Sequence, residues 1–174
     1  MSTPFGIELY KNVSELNAVD ALVDMKFLIA APNKHPMFDE YVVQATPTLG
    51  VVWIKGISAY KDVDPFGHNL CADVDRIADQ LTLKYGNPKK SDFVLSGSLW
   101  DEPQYWMNAL EEGTRYYCYL YSAESGANLP DDLESVYVGA MSGGNNVGAV
   151  TIEYSSPRVD EAHAEIQAGL ADLL

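Results

Sequence analysis

Arg115-Tyr116-Tyr117-Cys118-Tyr119-Leu120-Tyr121 is the stretch from which the fold can be read. A period of two sets Tyr117, Tyr119 and Tyr121 on one face with Arg115, and Tyr116, Cys118 and Leu120 on the other. Both faces are apolar-bodied, so the segment is a strand that needs cover. If a helix covers one face, the other becomes a tyrosine surface with polar tips, a composition favoured at protein interfaces. The competing arrangement buries both faces, as a central strand under helix and loop.

Upstream of this strand, Val74, Ile77, Ala78, Leu81 and Tyr85 mark an amphipathic helix over 70–85. Gly86-Asn87-Pro88 ends it, glycine permitting a left-handed cap and proline preventing continuation. Phe93 to Ser98 reads as a strand, and Asp101 as the cap of a helix that tolerates Pro103 in its first turn. That helix points Trp106 and Leu110 inward and closes at Gly113. Downstream, Leu133 to Met141 and Val147 to Ser155 form a hairpin around the Gly/Asn-rich loop Ser142 to Asn146. Val159, Ala162, Ile166, Leu170 and Leu173 then repeat at helical spacing.

The first third repeats the order of helix and then strands. Asn12 followed by Glu15 fits a capping box, and Val13, Leu16, Val19 and Val23 predict a helix over 13–24. Strands follow at Lys26 to Ala31, Tyr41 to Thr46 and Gly50 to Ser58, punctuated by Pro32-Asn33 and by Pro47 to Gly50. Pro4-Phe5-Gly6 recurs as Pro65-Phe66-Gly67, each copy placed before a predicted helix. The resulting expectation is an α+β fold, an antiparallel sheet with helices mainly on one face. Residues 1–157 form one domain, with 4–60 and 65–155 as candidate tandem helix-plus-sheet halves, and 158–174 form a C-terminal amphipathic helix that packs on the sheet or on another chain.

Composition narrows the function. The 174 residues are long enough to bury a core without staples, and 25 carboxylates against 11 Lys plus Arg leave a net charge of −14. Residues 88–174 hold 14 of those carboxylates and 4 of the bases. Nucleic acid, bound through concentrated Lys and Arg, is not an expected partner for such a surface; a basic protein is attracted to it. No apolar window spans a membrane, and MSTPFGIELY lacks the basic and apolar regions of a leader. The expected location is the cytoplasm, or the periplasm if a leader was removed. Cys71 and Cys118 are too few for a disulfide framework and read as buried thiols.

Motifs of catalysis are scarce. There is no phosphate-binding loop ending in Lys-Ser/Thr, no G-x-G-x-x-G after a strand and no G-x-S-x-G elbow. His68-x-x-Cys71 supplies two metal-ligand types at a helix start but needs two more, Asp62-x-Asp64 lacks the remaining oxygens of a calcium loop, and Asp75 with Asp79 reads as a solvated helix face. No metal or cofactor is expected. His35, in a loop beside Pro36, is the best placed general base, and His163 lies on the charged tail helix.

Phe5-Gly6-Ile7, Pro36-x-Phe38-x-x-Tyr41, Phe66-Gly67, Lys84-Tyr85-Gly86-Asn87-Pro88 and Ser96-Gly97-Ser98-x-Trp100-x-Glu102-x-x-x-Trp106-Met107 together resemble small bacterial proteins of unassigned function, over roughly residues 4–155. Many such relatives look exported, and the resemblance implies no catalytic residues. The helix-then-sheet order is also loosely similar to the architecture of β-lactamase inhibitor protein, in which two related halves present a concave sheet to an enzyme.

The functional expectation is a non-catalytic acidic protein-binding module, of the inhibitor or immunity type, that occludes a basic partner. Its candidate contacts are Arg115, Tyr117, Tyr119, Tyr121 and Trp100, with Asp131, Asp132 and Glu134 as the acidic element. The alternative is a small-ligand-binding protein or hydrolase with a pocket between sheet and helices. An assembly subunit, dimerising through the tail helix, is a third expectation.

Overall fold

A computed structural model describes residues 2–174. Its strands are β1 (Ala18–Ala21), β2 (Lys26–Ile29), β3 (Phe38–Thr46), β4 (Gly50–Ser58), β5 (Lys61–Asp62), β6 (Lys89–Val94), β7 (Arg115–Ser122), β8 (Ser135–Gly144) and β9 (Val147–Ser155). The helices are α1 (His68–Tyr85), α2 (Trp106–Glu111) and α3 (Val159–Ala171). The fold is α+β, with antiparallel β1–β2, β2–β3, β5–β9 and β6–β7 ladders.

The chain divides into two compact units, one made of Met1–Gly56, Leu129–Val136 and Glu153–Leu174, the other of Ile57–Asn128 and Tyr137–Ile152.

In the first unit the strand order β1-β2-β3-β4 places β1 at the edge. Leu49, Val52 and Ala162 form a buried cluster with Trp53 and Val159 packed on it, which seats α3 against the sheet. Phe5 turns its ring into Phe38, Tyr41 and Tyr154, with centroids 5.7, 4.8 and 5.8 Å away. The β3–β4 turn closes on the N-terminal segment, where Val51 donates its N–H to the Lys11 carbonyl (2.9 Å) and Tyr10 donates to Val51 (2.7 Å).

The helix expected over 13–24 does not form. Asn12 does cap, accepting the Ser14 N–H at 2.9 Å, but only the single 3-10 turn Val13–Glu15 follows. Of the residues that suggested a stripe, Val13 and Leu16 are half-buried but Val19 and Val23 are exposed, at 66% and 78%. The chain instead enters β1 and turns back into β2 through Asp24 and Met25, both at positive φ. β-branched residues at this spacing suit an edge strand as well as a helix, and the hairpin supplies the hydrogen bonds. The first Pro-Phe-Gly therefore precedes no helix. Its phenylalanine is packed, whereas Phe66 of the second is exposed and stacks on His68.

In the second unit α1 starts where Asp64 accepts the N–H groups of His68 (3.1 Å) and Asn69 (3.2 Å). Burial raises the Asp64 pKa, but those N–H groups outweigh it and hold the carboxyl below its ordinary value. Leu70, Val74, Ile77, Ala78, Leu81 and Tyr85 are buried, as their spacing predicts. β6 lies at the end of the strand order, and the strand expected at Phe93 to Ser98 sits earlier, over Lys89–Val94. Lysines at an edge deter further pairing, and Gly97, at φ 84°, belongs to the turn beyond. The helix after Asp101 is shorter than expected. A 3-10 turn (Pro103–Tyr105) leads into α2, which buries Met107 and Ala109 rather than Trp106 and Leu110. The β8–β9 turn is tight, with Asn145 and Asn146 at φ 51° and 58°.

Gly50 combines φ 71° with a backbone approach. A Cβ there would fall against the Tyr10 and Lys11 carbonyl groups. Gly50→Ala should lower unfolding free energy by about 2–4 kcal/mol, from left-handed strain plus the clash. A denaturant titration of the two proteins measures the difference.

Candidate functional site

α1 packs on the Tyr117, Tyr119 and Tyr121 face of β7. The Tyr117 and Tyr119 hydroxyls donate to the same Asp75 oxygen, at 2.7 and 2.8 Å, and Tyr121 donates to the Ala78 carbonyl at 2.6 Å. Asp75, expected to face water with Asp79, is therefore half-buried, while Asp79 is exposed. Lys90 lies over the Tyr117 and Tyr119 rings, 4.8 and 5.3 Å from their centroids. Trp106 of α2 meets Tyr117 from the same side, and its ring leaves Gly67 no room for a Cβ. Tyr121 has no exposed surface and Tyr117 almost none.

The covered face is thus the one expected to be open. On the opposite face, Phe93 of β6 pairs with Tyr116 of β7, and their rings stack at 5.0 Å. Phe93 is 45% exposed, Tyr116 42% and Leu120 37%. The face continues across Cys118 to Tyr137 and Gly139 of β8, where a Cβ on Gly139 would meet both the Tyr137 hydroxyl and Cys118. Farther along β8, the exposed Tyr60 ring lies against Gly143 and its hydroxyl approaches the Met141 sulfur at 3.8 Å. Sequence reasoning found Tyr116 and Leu120 as the second face of β7 but missed Phe93, Tyr60 and Tyr137. Phe93 was legible once paired with Tyr116; that register depends on where β6 begins.

The other candidate contacts are dispersed. Arg115 forms an ion pair with Asp92 and lies over the Trp106 ring, 5.5 Å from its centroid. It shares a hollow of about 200 Å³ with Trp100 and Trp106. Trp100 is half-buried and meets the Tyr105 ring edge-on at 5.3 Å. Asp131 and Glu134 are exposed, and Asp132 accepts the Ser2 N–H (2.5 Å) and hydroxyl (2.6 Å). Burial raises the Asp132 pKa, but the Ser2 bonds reverse the effect and keep it below the usual range. These three carboxylates belong to the first unit, Arg115, Trp100 and the tyrosines to the second.

The first unit carries a groove of about 360 Å³ between α3 and the β1–β2 turn, with apolar walls and Asp24 and Glu165 on its rim. Glu165 Oε1 accepts the Thr48 N–H at 3.2 Å.

The groups considered for catalysis have structural surroundings. His35 Nδ1 accepts the Met37 N–H at 3.1 Å, and the ring packs on Phe38. Among the described residues, no three His, Cys, Asp or Glu side chains are grouped to hold a metal ion. Among the described residues, no helix is long and apolar enough to cross a membrane. Cys71 and Cys118 are free thiols. Burial, reinforced by the Asp75 and Asp92 carboxylates, pushes Cys71 up to about 12, and burial raises Cys118 despite hydrogen bonds with Tyr137 and Ser91. Compared with protein-family models, with curated proteins and with solved structures, the chain matches none.

Two outcomes follow from the Asp75 cluster. Asp75→Ala strands two tyrosyl hydroxyls and should cost about 2–3 kcal/mol by denaturant unfolding, against about 1 kcal/mol for Tyr119→Phe. Alkylation of Cys71 by iodoacetamide at pH 8 should be roughly a thousandfold slower in the native than in the unfolded chain, since each pKa unit reduces the thiolate tenfold. The native rate should rise about tenfold per pH unit above that, which peptide mass mapping follows directly.

Proposed function

We propose that this protein is a non-catalytic acidic protein-binding module whose contact surface is the open sheet face around the Phe93–Tyr116 pair. The observation that carries the reading is this stacked pair, half exposed on a sheet whose other face is closed by α1. Aromatic side chains offer large contact area at small entropic cost, and soluble proteins seldom leave several together uncovered without use. Leu120 and Tyr60 extend the apolar area, and Tyr137 adds a polar tip.

The charge of −14 favours a basic partner, which it steers during encounter. Occlusion of an enzyme or toxin site by this face is the inhibitor or immunity mode. Two free thiols suit a reducing compartment, and the cytoplasm is the location the reading carries with it. The hollow at Trp100 offers a small-ligand reading less support, because Arg115 is already engaged by Asp92 and Trp106.

Immobilised protein should capture a basic partner from the native organism's lysate at low salt and release it in a salt step. With that partner purified, Phe93→Ala with Tyr116→Ala should weaken affinity at least tenfold, about 1.4 kcal/mol, and association should slow as ionic strength rises. Affinity unchanged by the double substitution removes this face from the reading, and association rates flat across the salt series remove acidic steering.

A further inference from the structure

The interior of α3 holds Gly169, where an added Cβ would meet nothing within 4 Å. Glycine weakens a helix relative to alanine, and no neighbour here demands it. Its effect is to lower one wall of the groove in the first unit. Ile166, Leu170 and Leu173 complete that wall, and Met25 and Pro47 stand opposite. Met25 is 43% exposed, Leu170 49% and Leu173 81%.

We propose that this groove docks a basic amphipathic helix of a partner protein, with its apolar stripe between Met25 and Leu170 and its Lys or Arg side chains on Asp24, Glu165 and the C-terminal end of α3. The inference is independent of the open sheet face. Three observations select this occupant. The first is length: a recess sharing Asp24 and Ile166 extends the groove to His163 and Gln167, and the distance along α3 from His163 to its end at Ala171 is about 12 Å at 1.5 Å per residue, just over two helical turns, with Leu173 in the turn beyond.

The second is the state of the backbone that flanks the groove. The Met25 carbonyl accepts the Ala45 N–H at 3.0 Å, the Asp24 carbonyl accepts the Gln44 amide at 2.9 Å, and the Thr48 N–H is held by Glu165. An extended peptide would find no ladder there for its own N–H and C=O groups, whereas a helix satisfies them internally.

The third is charge. The rim carries Asp24 and Glu165, and hydrogen bonds with Thr46 and Thr48 hold Glu165 ionised to lower pH. The last turn of α3 has no basic residue, so its negative dipole end is uncompensated beside Leu170 and Leu173. Lys26, in the adjoining recess, lies over the Trp53 ring. A second copy is a poor fit. Its α3 would bring Asp160, Glu161 and Glu165 to the same rim, and its Arg158 is already paired with Glu161.

The probe is an 18-residue synthetic helix with leucine at positions i, i+3, i+4 and i+7 and lysine elsewhere, and the control replaces every lysine by glutamate. Each is titrated into the full ¹⁵N-labelled chain, with affinity and amide shifts recorded. The lysine peptide should bind with shifts confined to residues 24–26, 44–48 and 163–173, at least tenfold more tightly than the glutamate peptide. Gly169→Leu fills the groove in a helix it should stabilise, so it should weaken the lysine peptide at least tenfold while the unfolding midpoint holds or rises. Leu170→Glu should do the same, and serves if Gly169→Leu fails to fold. Asp131→Asn and the Phe93, Tyr116 double variant should leave the affinity unchanged. Shifts scattered over the acidic surface, or full affinity in both groove variants, overturn the proposal. So does a dimer of the free chain that Leu170→Glu dissociates, which would assign the groove to a second copy.

Discussion

The hydrogen bonds that Asp75 accepts from Tyr117 and Tyr119 govern much of the second unit. They join the middle of α1 to the middle of β7, and a carboxylate acceptor makes each stronger than a neutral pair would be. With Tyr121 held to the Ala78 carbonyl a turn further on, α1 has one place to lie. Its position then decides which side of β7 is core and which is surface. Lys90 above the tyrosine rings keeps a compensating positive charge near Asp75. Even a half-buried carboxylate would be costly without these partners, and Tyr117 without Asp75 would bury its hydroxyl unpaired.

This arrangement shows how far a one-dimensional reading reaches. Strand periodicity divided β7 into its two faces, and the stripe from Val74 to Tyr85 located α1, because both are local patterns. β4 fell on Gly50–Ser58 for the same reason, bounded by a turn and rich in β-branched residues. Which face α1 covers is not local. It depends on a carboxylate 42 positions from Tyr117 reaching its hydroxyl, and Asp75 looks in sequence like any solvated helix residue. The aromatic partner Phe93 was hidden likewise, since its role depends on register with Tyr116. At the N-terminal end local evidence misled. Asn12 does cap, but the valines after it are compatible with two periods, and only the neighbouring β2 decides between them.

The two candidate surfaces differ in physical kind. The open sheet face is broad and aromatic, with a few polar tips. The groove beside α3 is narrow and aliphatic, with carboxylates at its rim. One protein using both would hold two partners through unrelated contacts, so that each affinity can change by substitution without altering the other.

The interleaving of the two units also has a consequence for biosynthesis. The second unit is complete in the chain once residue 152 has been made, but the first lacks α3 until residues 153–174 follow. A nascent chain therefore holds every residue of the second unit while β1 to β4 still lack α3, the cover of Leu49 and Val52. Vectorial synthesis, which usually lets N-terminal regions fold first, here leaves the N-terminal strands waiting longest for their cover.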